Sequence, residues 1–368
     1  MKTGNEELKV VVAMSGGVDS SVAAARLKEH GYQVSGVIMK IWGGETLSGE
    51  VKRHACYGPD EEEDIEDARQ VSRILGIPFH VFDLREEYRT EVLDYYCREY
   101  ISGRTPNPCL RCNHRIKFGA LLKKTQESGI EFDYFATGHY ARVEYDRDGG
   151  RYLLKKAADL NKDQSYFISS LSQEQLGRSL FPVGNYDKSE IVRMSAHYGL
   201  GVEKKPESQD FIAGEYGSLV EAAHPGPILD KQGNTLGEHR GIPFYTIGQR
   251  KGLGIASAEP RFVIDINAGQ NAITVGAREE VYHDELVASD LNWIAVEGLE
   301  QPTRVKAKVR YLHPDAEATL TPLDEDEVYL KFNEPQLAIA PGQGVVFYQQ
   351  DVVLGAGTIE RKRKYDNG

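Results

Sequence analysis

Short apolar runs alternate with amphipathic stretches through the first two hundred residues. Residues 10–14 are continuously apolar and predict a buried strand, residues 20–30 carry helical spacing up to Gly31, and residues 34–41 predict the next strand. This is a βαβ pattern. A helix over 64–75 stopped by Gly76, a strand over 78–82, a helical stretch over 87–101 and a strand over 134–137 extend it. Repeated alternation of this kind predicts a mixed α/β fold in which a parallel sheet carries helices on both faces. Its ligands belong beyond the carboxyl ends of the strands, where Ser15 to Asp19 and Gly138-His139 fall.

Around Lys204-Lys205-Pro206 the pattern changes to glycines, prolines and short segments such as His224-Pro225-Gly226-Pro227. From about His283, period-two alternation dominates, with strands predicted near 305–311, 327–332 and 344–348, separated by turn residues. Three units are expected: residues 1–205 as the α/β nucleotide domain, 206–282 as a small central β-rich domain, and 283–368 as a C-terminal β-barrel. The run Arg361-Lys362-Arg363-Lys364 reads as a solvated tail.

Composition narrows the classes of function. Lys+Arg 44 against Asp+Glu 56 leaves a net charge of -12, which excludes a polybasic nucleic-acid coat but not a local basic face. With 4 cysteines in 368 residues, two of them as Cys109-x-x-Cys112, the chain is not a disulfide scaffold. Its apolar runs are too short for a membrane span, so a cytoplasmic protein with no membrane partner is expected.

The segment Ser15-Gly16-Gly17-Val18-Asp19-Ser20-Ser21 lies between the first strand and the first helix. A turn there aims backbone N–H groups and the positive end of the helix dipole at phosphate oxygens. Neither a Walker A lysine nor a G-x-G-x-x-G pattern is present. The segment resembles the S-G-G-x-D-S (PP) loop of the ATP pyrophosphatases, which adenylate an oxygen and release pyrophosphate.

Four further segments are present: Gly103 to Asn113 (GRTPNPCLRCN), Ala136 to Arg142 (ATGHYAR), Lys162 to Phe167 (KDQSYF) and Thr246 to Gly254 (TIGQRKGLG). In this order, and with the loop, they resemble the tRNA-specific 2-thiouridylases, the MnmA/TrmU family of ATP pyrophosphatases. That resemblance implies replacement of the C2 oxygen of the wobble uridine by sulfur in tRNAs for Lys, Glu and Gln, using ATP and Mg2+. It places ATP against Ala13, Met14, Ser15, Gly16, Gly17, Val18, Asp19, Ser20, Met39 and Gly138, with Asp19 as the polar or magnesium-linked group beside the pyrophosphate. It implies tRNA contacts at Asn107, Pro108, Cys109, His139, Lys162, Asp163, Gln164, Arg310, Tyr311 and Gln343. The Asn107-Pro108-Cys109 segment meets a uracil flipped from its stack, as chemistry on C2 requires.

Sulfur delivery needs a thiolate, and the resemblance makes Cys112 the first catalytic cysteine, with Arg111 and His114 expected to favour its ionised form. In the family a second cysteine follows a Glu-Ser pair. Here Glu207-Ser208-Gln209-Asp210 is followed by Phe211, and Ile212 occupies that place. Three arrangements remain open. Cys109 and Cys112 divide the carrier and resolving roles; Cys56, Cys109 and Cys112 ligate an iron–sulfur cluster with an open site; or the chain binds ATP and tRNA without completing thiolation. The sulfur source is correspondingly a persulfide donor or relay protein, or sulfide. Cys97 reads as a core residue.

Overall fold

The computed structural model describes residues 7–44, 55–207, 211–220 and 223–361. The apolar run after Leu8 forms β1 (Lys9–Ala13), α1 (Val18–Glu29) follows, and β2 (Gln33–Lys40) pairs parallel to β1. Helix α1 starts two residues earlier than its spacing predicts, which puts Val18 and Asp19 in its first turn. Next, α2 (Glu61–Leu75) begins at a run of four acidic residues that suits the positive end of its dipole, ends on Gly76 in the left-handed conformation, and leads to β3 (Phe79–Asp83).

The stretch expected as one helix over 87–101 is α3 (Arg85–Tyr88) and α4 (Asp94–Ile101), joined by a widened π-turn over Arg89–Leu93. A second such element follows: α5 (Pro108–Arg111), a π segment over Cys112–Ala120, and α6 (Leu121–Glu127). After β4 (Tyr134–Thr137) come the hairpin β5 (Ala141–Asp146) and β6 (Arg151–Lys156), α7 (Gln173–Gly177), β7 (Ser179–Leu180) and α8 (Lys188–Tyr198).

The parallel sheet runs β3-β2-β1-β4-β7, so the order in which strands are added reverses between β1 and β4 and opens a crevice at their carboxyl ends. Two cores sandwich it. Val10, Val12, Val22, Ala23 and Val71 pack on one face, and Val11, Val37, Phe135 and Ile116 on the other.

A central sheet of order β10-β11-β8-β9 follows, from β8 (Gly226–Leu229), β9 (Thr235–His239), β10 (Phe262–Asn267) and β11 (Ala272–Gly276). The last six strands are β12 (Tyr282–Trp293), β13 (Thr303–Lys308), β14 (Ala316–Pro322), β15 (Val328–Leu337), β16 (Gly344–Gln349) and β17 (Val352–Ile359). Pairing of β12 with β17 closes them into the expected barrel. The β5–β6 hairpin adds to the barrel sheet through Val352 and Lys155, a tie between the first unit and the last that the sequence pattern did not predict.

A second tie holds residues 103–108. The Thr105 N–H donates to Pro341 O at 2.7 Å, Gln343 Nε2 donates to Thr105 O and Pro106 O at 2.9 and 3.1 Å, and Arg104 pairs with Glu99 and Glu360 at 2.7 and 2.6 Å. The Glu99 and Glu360 carboxylates keep the Arg104 guanidinium charged despite its burial. Residues 208–210 of the Glu-Ser segment and 362–364 of the basic tail lie outside the described residues.

Candidate active site

Beyond Ala13 the chain turns at Ser15, Gly16 and Gly17. Gly16 has φ +69°, and a Cβ there would stand 2.5 Å from Asp64 O, so both the turn and its seat against α2 require glycine. The first turn of α1 carries no side-chain cap, which leaves its N–H groups for a ligand. Ser15 Oγ and Ser20 Oγ lie 3.2 Å apart across the loop mouth. Gly138, ending β4, closes the other side, where an added Cβ would meet Ser20 N at 2.5 Å.

A cavity of about 300 Å³ opens here. Of the expected ATP residues, Ala13, Met14, Ser15, Gly17, Val18, Asp19, Ser20, Met39 and Gly138 line it, and Gly16 sits behind. Cys56, Cys109, Cys112, His139 and Gln164 line the same cavity. The structure thus brings the loop and three of the four thiols to one space.

Several lining groups were not singled out by sequence reasoning. Lys188 Nζ donates to both Asp19 oxygens at 2.7 and 2.9 Å and reaches Glu207 at 2.6 Å, while Tyr140 donates its hydroxyl to Asp19 at 2.7 Å. Burial opposes the Lys188 charge, but Asp19 and Glu207 outweigh it and hold its pKa above the usual lysine range. Lys205 is held the same way by Asp64 at 2.7 Å and by Asp67. Burial pushes the Glu61 carboxyl up, against the N–H donors of Ile41 and Trp42 at 2.6 and 2.9 Å. Lys188 stands just after a helix cap and Lys205 just before a proline, so neither position carried a motif signal.

The thiols are not ionised by the neighbours expected of them. Arg111 turns away to Glu91 at 2.8 Å and lies over the Tyr95 ring, and His114 is half-buried facing a separate surface hollow. Their place is taken by Lys117, to which the sequence reading assigns no role at the cavity. Burial pushes the Cys112 thiol up to about 11 while Lys117 pulls against it; burial, with Cys56 and Cys112 close by, pushes Cys109 up to about 12. Residues five apart face different ways on an α-helix, but the π segment closes its turns over five residues and brings Cys112 and Lys117 to one face.

His139 is held neutral, its pKa forced well below normal by burial and by Lys117, with Thr137 Oγ1 2.7 Å from its Nδ1. Asn113, 2% exposed, lines the cavity; its Nδ2 donates to Phe167 O at 2.9 Å, and its Oδ1 has no partner among the described residues. Cys97 packs against the core and reaches Leu219 O at 3.3 Å, as expected.

The residues expected to face tRNA divide. Gln164 reaches the cavity, though its Oε1 accepts from Tyr140 N at 2.9 Å. Asn107 caps α5 through Leu110 N at 3.2 Å, with Pro108 buried behind it. Lys162 pairs with Glu207 at 2.8 Å. Three others bond within the chain. Asp163 is 5% exposed, with its carboxylate taken by Ala157 N, Ser165 N and Ser165 Oγ, so it fixes its own turn. Gln343 is spent on Thr105 and Pro106 and positions the cysteine-bearing loop. Arg310 points inward to Ile247 O at 3.3 Å, and burial lowers its pKa. The Tyr311 ring packs against Phe167 at 4.3 Å, tilted by 36°.

The carboxylates around the cavity are engaged by lysines or backbone N–H groups. Among the described residues no three His, Cys, Asp or Glu side chains are arranged to hold a single metal ion. Nor is any described helix long and apolar enough to cross a membrane.

Known proteins with similar sequences carry this architecture. Family models match residues 8–213 (tRNA methyl transferase HUP domain), 210–277 (tRNA methyl transferase PRC-barrel domain) and 283–359 (aminomethyltransferase beta-barrel domain). The protein named tRNA-specific 2-thiouridylase MnmA in Symbiobacterium thermophilum is 48% identical over 362 residues, covering 96% of this chain and 92% of its own length. The same-named protein of Moorella thermoacetica is 49% identical over 358 residues, 95% of this chain and 99% of its own. That of Natranaerobius thermophilus is 46% identical over 359, covering 95% and 97%. At this identity over nearly the whole length, with all three domain models in order, the chain belongs to the family of tRNA-specific 2-thiouridylases.

Proposed function

We propose that the chain is an ATP-dependent tRNA 2-thiouridylase, which adenylates the C2 oxygen of a wobble uridine and replaces it with sulfur, releasing AMP and pyrophosphate. One observation carries the reading: the glycine loop, neutral His139 and three thiols share a single cavity at the sheet's switch point. ATP lies with its phosphates on the N–H groups of Ser15 to Ser20, with Lys188 and Lys205, each held between two carboxylates, beside the loop. The Mg2+ ion accompanies ATP on the phosphate oxygens, with no protein carboxylate set assigned to it.

The flipped uracil enters past Asn107 and Pro108. Asn113 Oδ1 accepts from its N3–H, which a cytosine lacks. Cys109 and Cys112 stand on the sulfur side. The substrates are tRNAs for Lys, Glu and Gln, and sulfur arrives on a persulfide donor. Enclosing the activated base with its nucleophile supplies proximity and keeps water from the adenylate.

The test is anaerobic incubation of the protein with ATP, Mg2+, unmodified tRNA-Glu and a persulfide source, with product read by retardation in a mercury-containing gel. Retarded tRNA with one AMP formed per thionucleoside is expected. If folded, ATP-binding protein binds tRNA without product, Ile212 marks a non-thiolating descendant. AMP formation that depends on ammonia or an amino acid instead of tRNA would make it another ligase of the ATP pyrophosphatases.

A further inference from the structure

The reaction needs sulfur carried from a donor in solution to a base enclosed in the cavity, and the cavity offers thiols at graded depth. Cys56 is exposed, Cys109 is half-buried, and Cys112 is buried at 8%. All three line the space that also holds the ATP loop. A thiol that meets a donor protein must be reachable from outside, and a thiol that frees the product must lie against the base.

The seat of Cys56 is well defined. Its neighbour Tyr57 is 1% exposed, donates its N–H to Phe211 O at 3.0 Å and accepts from Ala213 N at 3.1 Å. The Tyr57 ring stacks on Tyr88 at 5.3 Å and meets Trp42 edge-on at 4.8 Å. This clamp pairs Tyr57 with Ile212 as a parallel bridge. Ile212, at 1% exposure, fills the core without sulfur chemistry, and Cys56 stands one residue from its bridge partner, facing the cavity.

We propose that Cys56 is the sulfur-carrying thiol of this enzyme and Cys112 the thiol that releases the product. The proposal rests on the thiouridylase reading and adds to it a catalytic residue whose role neither sequence spacing nor resemblance assigned. The Cys56 thiolate attacks the terminal sulfur of a donor persulfide R–S–SH; the new S–S bond forms on Cys56, and R–S⁻ leaves and takes up a proton. The terminal sulfur of the Cys56 persulfide then attacks C2 of the adenylated uridine, forming S–C2 and breaking the bond to the AMP oxygen. Cys112 thiolate attacks Cys56 Sγ, which forms a Cys56–Cys112 disulfide and expels the 2-thiouridine sulfur. The sulfane sulfur has gained two electrons from the two thiols, and a dithiol reductant restores them while becoming a disulfide.

The test uses the full-length protein. Wild type is loaded with cysteine persulfide, desalted, alkylated and mapped by mass spectrometry, then given ATP, Mg2+ and tRNA in a single turnover. The added sulfur is expected on Cys56. Cys56→Ser is expected to bind ATP and tRNA as wild type does but to lose thionucleoside to background. Cys112→Ser is expected to accumulate a tRNA adduct on Cys56 that dithiothreitol releases. Cys56→Ser that thiolates at the wild-type rate, or sulfur found on Cys109 with Cys56 unlabelled, overturns the assignment while leaving the thiouridylase reading intact. Wild type that yields no thionucleoside from any donor sinks the reading, and the assignment with it.

Discussion

At the scale of single residues, the cavity is tuned by a few unbalanced groups. Cys112 sits between burial, which disfavours its thiolate, and Lys117, which favours it. Removing the cation raises the thiol pKa, so at a fixed pH below it the thiolate fraction falls. Lys117→Met should slow alkylation of Cys112 at pH 8 by roughly threefold, equivalent to about half a pKa unit. Peptide mapping separates Cys112 from the other thiols, and an unchanged rate would remove Lys117 from its field. Asn113 presents the complementary case, an acceptor paid for by burial but given no donor within the chain. Asn113→Ala should weaken productive tRNA binding, appearing as a raised KM for tRNA at unaltered ATP affinity. The lost contact is of order 1 kcal/mol, or several-fold.

At the scale of elements, the site depends on how closely α1 and the end of β4 approach. A methyl on Gly138 would press on Ser20 N and on the Asp19 carbonyl carbon, 2.5 and 2.7 Å away, where backbone has no room to yield. Gly138→Ala should therefore destabilise the fold by about 1–3 kcal/mol and also weaken ATP binding, measured by urea unfolding and by titration. Loss of stability without loss of ATP affinity would separate this contact from the site. The same elements show what a sequence discloses. β1, α1, β2 and β4 were legible because an apolar run, a glycine turn and helical spacing follow one another with local causes. The π segment over Cys112–Ala120 was not, because its widened turns leave no mark on apolar spacing; Lys117 therefore went unrecognised as a cavity residue. Nor could spacing show that Lys188 and Lys205 fold back onto Asp19 and Asp64, contacts made across long stretches of chain. Resemblance pointed to the loops that meet at the cavity but could not show that Gln343 and Asp163 also bond within the chain.

At the scale of the whole molecule, a chain of net charge -12 must hold a polyanion. Lys155, Lys156 and Lys162 are committed to Glu144, Asp315 and Glu207. Arg250 and Lys251, in contrast, are exposed and stand outside every ion pair among the described residues. At about 0.1 M salt charges act over only about 10 Å, so a phosphate feels these two side chains and not the acidic total. Near 0.01 M the range is about 30 Å and the acidic body contributes repulsion. The plot of log affinity against log salt should therefore fall steadily above about 0.1 M and flatten towards low salt. The double variant Arg250→Ala/Lys251→Ala should lower tRNA affinity above 0.1 M and reduce the slope there by about 2, one for each released phosphate contact. ATP affinity should stay as in wild type, since neither residue lines the cavity. Filter binding across a salt series measures both quantities, and an unchanged slope in the variant would move the tRNA track away from the central domain.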